Sequence, residues 1–504
     1  MKKIICGLFF VMSAVAFSQQ GTLFFSKSLR YNDKYELRYS FEQDNGKTCC
    51  VLAPSKATYK NTDLIYVDVL DSNMQVLSHK ALNLKDGKMR CKLEHIEELD
   101  SGYTALLSFF DKKNKKKILF SQGLNPHTLQ REGKLKTLIS TSAKSANSGS
   151  KFYVNYTIDG NQVIYSEGAR DASGFIVKVY ELNNGQITSS DSLVFNQSYL
   201  SYKFKNAFYE NGNIILVAYN GAAQQYEVLR KVNSQKVFEK FIFKTNNKVI
   251  KDLKSTWGAK GLLCFGLLSD TKLSQISASY QFSLGFVGDE INKVSGFFER
   301  EEWRIGLPKS HEVWSNMKIR QIIPQSNGEF LVVCEGEGNY SVSYETYNQS
   351  PYYGGYGYYG GYYNYGGGYY TTETTEYFTF NDLVVFRFDS RGEIWRALVP
   401  KKQTFPSTNL KFASAALNIE HKGIELYYLV SANKQNGIPE YNGEKFYKVV
   451  KTSVSNKGKV FTKDVFTNNN RTREKPIPSS FNFYSANCVF IGRNGLNLKY
   501  YKLR

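Results

Sequence analysis

Apolar and β-branched residues recur along most of the chain in runs of five to nine, separated by short clusters of Asn, Asp, Gly and Ser. Within a run, Tyr, Phe, Val, Ile and Thr dominate and a helical 3.6-residue repeat is rarely sustained, so the pattern predicts strands joined by tight turns. The chain is therefore expected to be all-β.

The runs follow a common order: a hydrophobic strand, a polar connection, a second strand, a tight polar turn and a further strand. Leu64 to Leu70 turns at Asp71-Ser72-Asn73 into Met74 to Leu77, and Phe175 to Leu182 turns at Asn183-Asn184-Gly185 into Gln186 to Val194. Tyr226 to Val232 turns at Asn233-Ser234, and Tyr447 to Val454 at Asn456-Lys457-Gly458. The fullest copy runs from Phe330 to Cys334, resumes after an insertion at Leu383 to Phe388, turns at Asp389-Ser390-Arg391-Gly392 and ends at Glu393 to Leu398. With weaker turns at Asn125 and Asp289, the seven markers are spaced by 52, 59, 49, 56, 101 and 66 residues, the long interval being the one that holds the insertion. A period of this size with four strands per unit predicts the blades of a β-propeller.

Seven turns give seven blades, and the C-terminal runs Phe481 to Tyr484, Cys488 to Ile491 and Leu496 to Leu503 supply three strands of an eighth. Its fourth strand is expected from the other end of the chain, at Thr22-Leu23-Phe24-Phe25-Ser26, which would close the ring and cover two sheet edges. Eight blades is the expectation and seven the alternative.

The segment Phe388-Asp389-Ser390-Arg391-Gly392-Glu393-Ile394 resembles the turn of NHL-type propeller repeats, in which Asp-x-x-Gly links two strands of a blade. The basic, apolar start of the chain, with its bias to Lys, Asn and Tyr, resembles exported proteins of Bacteroidetes. Both resemblances imply architecture and address, and neither implies an activity.

Met1-Lys2-Lys3, the apolar run Ile4 to Phe17 and the small-residue site Ala16-Phe17-Ser18 read as a signal peptide over residues 1–18, leaving 19–504 as one propeller domain. The apolar run is shorter than the ~20 residues that a spanning helix needs, and no later run approaches that length, so the mature chain is expected to hold no transmembrane helix. Export places it in the periplasm, at the cell surface or outside the cell. Removing the peptide leaves 63 basic against 45 acidic residues, a net charge of +18, which points to an acidic envelope partner rather than to nucleic acid. Six cysteines remain; Cys264, Cys334 and Cys488 sit inside apolar runs, which predicts buried thiols, and a Cys50–Cys91 bridge is the one pairing left open.

Two segments stand out as binding candidates. The insertion at 348–376 contains the tract PYYGGYGYYGGYYNYGGGYY, whose Tyr352, Tyr353, Tyr356, Tyr358, Tyr359, Tyr362 and Tyr363 offer rigid amphipathic rings on a glycine-softened backbone. With no aliphatic residues to bury, the insertion is expected to be a loop between the second and third strands of the sixth blade. At the corresponding connection of the second blade lie Lys112, Lys113, Lys115, Lys116 and Lys117, five lysines in six residues suited to an anionic polymer. Acidic ends at Glu167 and at Glu335-Gly336-Glu337 are expected to be solvated on the same face, and the four tryptophans to pack between blades.

Enzyme motifs are incomplete. His311-Glu312-Val313-Trp314-Ser315 opens like a zinc-protease helix but has serine where the second ligand belongs, and the five histidines show no metal-ligand spacing. A nucleophile elbow, a phosphate-cradling loop and a calcium loop are missing, so no metal, cofactor or catalytic residue is assigned. The strands lack the sustained lipid-facing alternation of an outer-membrane barrel. What remains is a binding or scaffold protein of the cell envelope that recognises a protein or an anionic glycan through one propeller face; the alternative is a glycan hydrolase or lyase working over the central channel.

Overall fold

The computed structural model describes residues 23–503 apart from gaps, the longest being 55–63, 146–151, 157–161, 297–315, 349–368, 433–439, 442–446 and 468–474. Its strands form eight antiparallel blades. Six of the seven marker residues fall between the third and fourth strands of their blades, as the repeat predicts, and the seventh, Asp289, lies outside the described residues.

The turns form for local reasons. Asp71 Oδ1 accepts the backbone N–H groups of Asn73 (2.9 Å) and Gln75 (2.8 Å), and Asp389 Oδ1 those of Arg391 (2.7 Å) and Gly392 (2.9 Å), so one side chain satisfies donors that the turn would leave unmet. Asn184 and Gly185 both take positive φ, as a two-residue hairpin turn requires. Where the repeat lacks glycine, an apolar residue takes the left-handed conformation instead: Met74 (φ 66°) and Leu129 (φ 51°) are both fully buried, so core packing offsets the backbone cost.

Burial grades across each blade. The second strands of blades 1, 5 and 7, Thr48–Pro54, Gly261–Ser269 and Gly423–Ser431, are buried at every position, whereas the fourth strand of blade 7, Val460–Thr467, is almost wholly exposed. The first strands converge on the axis. Asn155 of blade 3 donates to Ala207 O of blade 4 (2.8 Å), Asn206 donates to Ser255 Oγ of blade 5 (3.0 Å), and Lys254 Nζ donates to Arg320 O of blade 6 (2.7 Å). The apolar cores lie between blades, not within them. Trp257 packs between Phe208 of blade 4 and Phe286, and Trp395 of blade 6 donates Nε1–H to Asn456 O of blade 7 (3.1 Å). Trp303 and Trp314 lie outside the described residues.

Alternation along one strand separates the cysteines. Cys49 faces the core shared with Cys91, while Cys50 faces the core shared with blade 8, so no Cys50–Cys91 bridge forms and the six described thiols are free and buried. Burial pushes Cys49 and Cys91 up to about 11, which keeps them protonated and unreactive.

Blade 8 closes the ring. Its second and third strands, Asn487–Asn494 and Asn497–Leu503, are C-terminal, and its outer strand comes from the N-terminal end, with Leu23 opposite Leu503 and Phe25 opposite Tyr501. A buried polar knot pins this blade to blade 1. Asp68, fully buried on the third strand of blade 1, accepts from Tyr31 and from Tyr500 (2.6 Å) of blade 8 and pairs with His79 Nδ1 (2.7 Å). Burial, reinforced by Asp68, drives both phenol pKa values far up, so the two hydroxyls remain donors. Asp68→Ala is expected to leave the Tyr500 hydroxyl without this acceptor and Tyr31 with His79 Nδ1 (2.8 Å) in its place, and to lower unfolding stability by about 3 kcal/mol, read as a reduced urea midpoint at unchanged far-UV spectrum.

Candidate functional site

In an antiparallel blade, the connections from second to third strand and from one blade to the next emerge on the same face. Blade 6 carries the main elaboration of that face. Its second strand, Phe330–Asn348, and third, Tyr369–Asp389, are 19 and 21 residues long and stay paired from Phe330↔Phe388 out to Asn348↔Tyr369. The insertion is thus not a simple loop from 348 to 376. Tyr369 to Glu376 form strand against Ser341 to Asn348, because both segments are rich in the strand formers Thr and Tyr and are equal in length. The tip, with Tyr352, Tyr353, Tyr356, Tyr358, Tyr359, Tyr362 and Tyr363, lies outside the described residues.

The ribbon bends where it leaves the blade. Pairing jumps from Glu335↔Leu383 to Glu337↔Phe380, and charged groups gather beneath that break. Glu335 and Lys401 are both fully buried, with Nζ 2.5 Å from the carboxylate. Arg320 also pairs with Glu335, and Ser414 Oγ donates to it at 2.6 Å. Lys401 Nζ donates further to Gln403 Oε1 (3.2 Å) and Phe380 O (3.3 Å), and its backbone N–H to Asp382 (3.0 Å). Burial acts to raise the Glu335 carboxyl, but Lys401 and Arg320 outweigh it and hold it below the usual carboxylate range; burial pulls the Lys401 ammonium down from its ordinary value. Glu335 is therefore an ion-paired anchor, not the solvated strand end expected from its sequence, and it is poorly placed to donate a proton.

Above the break, Lys402–Pro406 from the connection to blade 7 adds antiparallel to Tyr377–Phe380 of the ribbon, and Glu440–Tyr441 adds parallel to that. This extra sheet props up one wall of a cleft of about 800 Å³. Strand alternation sets Tyr340, Val342 and Tyr344 on the same ribbon face as Tyr377 and Thr379. The Tyr340 and Tyr377 rings stack 5.3 Å apart at 12°, and Tyr340 and Tyr344 are exposed. Asn316, Asn339, Asn381 and Lys402 supply amides and a cation, and Glu337, paired with Arg320 at 2.6 Å, is the carboxylate in the lining. Flat aromatic faces beside amides suit recognition of a polyhydroxylated or peptide ligand. Sequence reading missed this cleft, since its parts come from positions 316, 337–344, 377–381 and 402–406 and only register brings them together.

The lysine segment forms the hairpin between the second and third strands of blade 2, Gly102–Asp111 and Lys116–Leu124. Asp111 Oδ1 accepts the Lys113 and Asn114 backbone N–H groups (3.0 and 3.1 Å), and Asn114 donates to its other oxygen (2.7 Å), which lowers the Asp111 pKa. Lys112, Lys113, Lys115 and Lys116 are exposed. Lys117 is not: it is buried with its ammonium 5.4 Å from the Phe152 ring centre, because it occupies an inward position of the strand together with Leu119. Blades 2 and 6 stand across an eight-membered ring, so the root of the blade 6 ribbon and the lysine hairpin share a face from opposite sides of it. Glu167, the other acidic end, is paired with Arg170.

Replacing Glu335 by Gln strands a buried ammonium and is expected to cost about 3 kcal/mol, whereas Glu335→Leu combined with Lys401→Met recovers most of the loss in urea unfolding. Because the folded carboxyl is depressed, its contribution is full above the unfolded carboxylate pKa and disappears as pH falls through the folded value; the gap between wild type and Glu335→Gln should narrow on acidification.

No family model matches the sequence, and no curated protein matches it as a relative. Solved structures do overlap it. The β-propeller domain of the Trilobed protease from Pyrococcus furiosus aligns over 87% of this chain and 98% of its own at 8% identity, with a TM-score of 0.34. An uncharacterized protein of Listeria monocytogenes aligns over 78% and 86% at 12% identity and TM-score 0.36. Acylaminoacyl peptidase of Pyrococcus horikoshii aligns over 92% of this chain and 59% of its own at 8% identity and TM-score 0.37, so the chain spans little more than half of that enzyme. Overlaps this low say nothing of activity, and the eight-bladed architecture rests on the strand pairing itself.

Proposed function

We propose that the protein is exported and acts in the cell envelope as a binding or scaffold protein, recognising a protein or a glycan through the face that bears the blade 6 ribbon. The cleft at the ribbon root carries this reading, since stacked and exposed tyrosines stand there among amide side chains on a wall braced by two added strands. The signal-peptide-like start of the chain supports export. Its one lining carboxylate is ion-paired, which favours binding over acid–base chemistry at this place.

The test uses the mature chain beside two variants: one with residues 346–371 replaced by Asn-Gly, and Tyr340→Ala combined with Tyr344→Ala. Both are expected to keep the wild-type melting temperature and near-UV spectrum while losing at least about tenfold in affinity for whichever glycan or envelope protein the wild type retains, as removal of aromatic anchors predicts. Undiminished retention by both variants would move recognition away from the ribbon.

A further inference from the structure

The first strands of blades 4, 5 and 6 share a pattern. Tyr202–Glu210 carries Lys203 and Lys205, Val249–Gly258 carries Lys251 and Lys254, and Met317–Pro324 carries Lys318 and Arg320. Each strand also contains a β-bulge near its start, between Phe204 and Asn206, Ile250 and Asp252, and Ile319 and Gln321. The extra residue is a cation each time: Lys205, Lys251 and Arg320. A bulge re-aims the side chain that it carries.

The apolar residues of these strands fill the cores between blades, with Tyr202 and Phe204 against blade 3, Ile250, Leu253 and Trp257 against blade 4, and Met317 and Ile319 against blade 5. A side chain that is nevertheless exposed on an innermost strand meets solvent at the channel. Lys203, Lys205, Lys254 and Lys318 are exposed. Lys254 is tied to Arg320 O at 2.7 Å, Lys251 to a backbone carbonyl, and Arg320 to Glu335 and Glu337. Among the described residues, Lys203, Lys205 and Lys318 make no ion pair. The acids on these strands are Glu210, at the far end, and Asp252, whose carboxylate accepts Ile319 N–H at 2.8 Å. The first strands of blades 1 and 2 also carry cations, Arg38 at the bulge of blade 1 and Lys92 in blade 2, but these stand beside acids: Arg38 lies 3.9 Å from Glu36 and Lys92 2.8 Å from Glu94, and Glu42 and Glu97 share the same strands.

Lysines and bulges also guard sheet edges against pairing with another chain. That role does not explain this placement. These edges face the channel of a closed ring, while the outer strands, which a second chain can reach, present Leu77, Val194 and Phe461 to solvent.

Lys203 and Lys205, like Lys318 and Arg320, are two residues apart and so about 7 Å from each other along the strand, while Lys251 and Lys254 between them are three residues apart. Amide and hydroxyl groups of Asn206, Ser255 and Gln321 are interleaved with them. The rings on these strands are turned into the cores, so a platform for stacked bases is missing. We infer that Lys203, Lys205 and Lys318, backed by Lys251, Lys254 and Arg320, form a binding site on the channel wall for an acidic polysaccharide bearing carboxylates on successive sugars. This site is separate from the ribbon cleft and does not depend on it.

Titration of the mature protein with oligogalacturonate tests this, with a neutral oligosaccharide of equal length and a single-stranded oligonucleotide of equal charge as comparison probes. Lys203→Gln, Lys205→Gln and Lys318→Gln combined should weaken oligogalacturonate binding at least about tenfold and flatten its salt dependence. The matching Lys→Arg triple should restore most of it. A variant with Lys112, Lys113, Lys115 and Lys116 all changed to Gln loses more charge and should bind within about twofold of wild type, because a net-charge effect through solvent is screened at that distance. The 346–371 replacement should also bind normally, which separates failure of this site from failure of the ribbon reading. If the triple Gln variant does not fold, Lys205→Gln alone is read the same way, with a loss of about threefold expected from one removed cation. Equal binding by the arc variants and wild type, equal damage from the hairpin variant, or equal affinity for the oligonucleotide would each overturn the inference.

Discussion

The structure depends on a pairing between its two ends. Each blade has two apolar faces, and the cores lie between blades, so an open row of eight would leave one face of the first and one of the last in water. Closing the row removes both at once. Here closure is made by backbone, with Leu23 to Phe25 laid along Tyr501 to Leu503, Ser26 exchanging hydrogen bonds with Tyr500 and Tyr31 N–H reaching Leu496 O at 2.8 Å. The Asp68 knot and the Lys502–Glu42 pair (2.7 Å) then lock blade 8 against blade 1 with buried polar groups. Strand addition alone tolerates slippage; a carboxylate that must meet two phenols and an imidazole does not.

A closed ring leaves little room for variation inside it and much at its faces. Blade 6 shows how a face element is built without disturbing the core. Its middle strands continue past the blade edge, and the register break at Gly336 redirects them. The break exposes backbone and brings charge to a place that the neighbouring connections cover. Lys401 and Glu335 meet that demand together: the ammonium satisfies Phe380 O and Gln403 while neutralising the carboxylate. Neither group would be tolerated there alone. Burying this pair adds little net stability, but it admits one geometry for the ribbon root, which suits a device for positioning rather than for holding the fold together.

What could be read in the sequence follows from how local the physics is. The turns between third and fourth strands were legible because their closure is local, through the Asp71, Asn125 and Asp389 side chains, through Ser455 Oγ before Asn456, or through positive φ at Asn184-Gly185, and closure was legible because the last unit lacked one strand that Leu23-Phe24-Phe25 could supply. Met74 and Leu129 hid two turns in part, since a left-handed apolar residue is sustained by a core that the local sequence does not reveal. Residues 369–376 were read with the loop because the insertion from 348 to 376 has no aliphatic residues to bury, although the partner segment just before it alternates Tyr340, Val342 and Tyr344 with serines as a strand does. Lys117 looked like its four neighbours; its place two residues before Leu119, on the inward side, was the signal that set it apart. The Glu335–Lys401 pair had no signal at all, as its members lie 66 residues apart and meet only through the connection to blade 7.

Arg320 joins the two surfaces of blade 6 that sequence reading did not find. Its guanidinium holds Glu335 under the ribbon and Glu337 in the cleft wall, while its backbone carbonyl accepts the Lys254 ammonium from the channel side. As the extra residue of a bulge, it can turn its side chain outward without taking a hydrophobic position from the core, which Ile319 and Ile322 fill on either side. The cleft wall is thus held by a guanidinium already engaged by Glu335 and Glu337, whereas Lys203, Lys205 and Lys318 make no ion pair among the described residues. Groups fixed in advance lose little freedom on binding, so of these two surfaces the cleft wall is the one that the fold has already ordered.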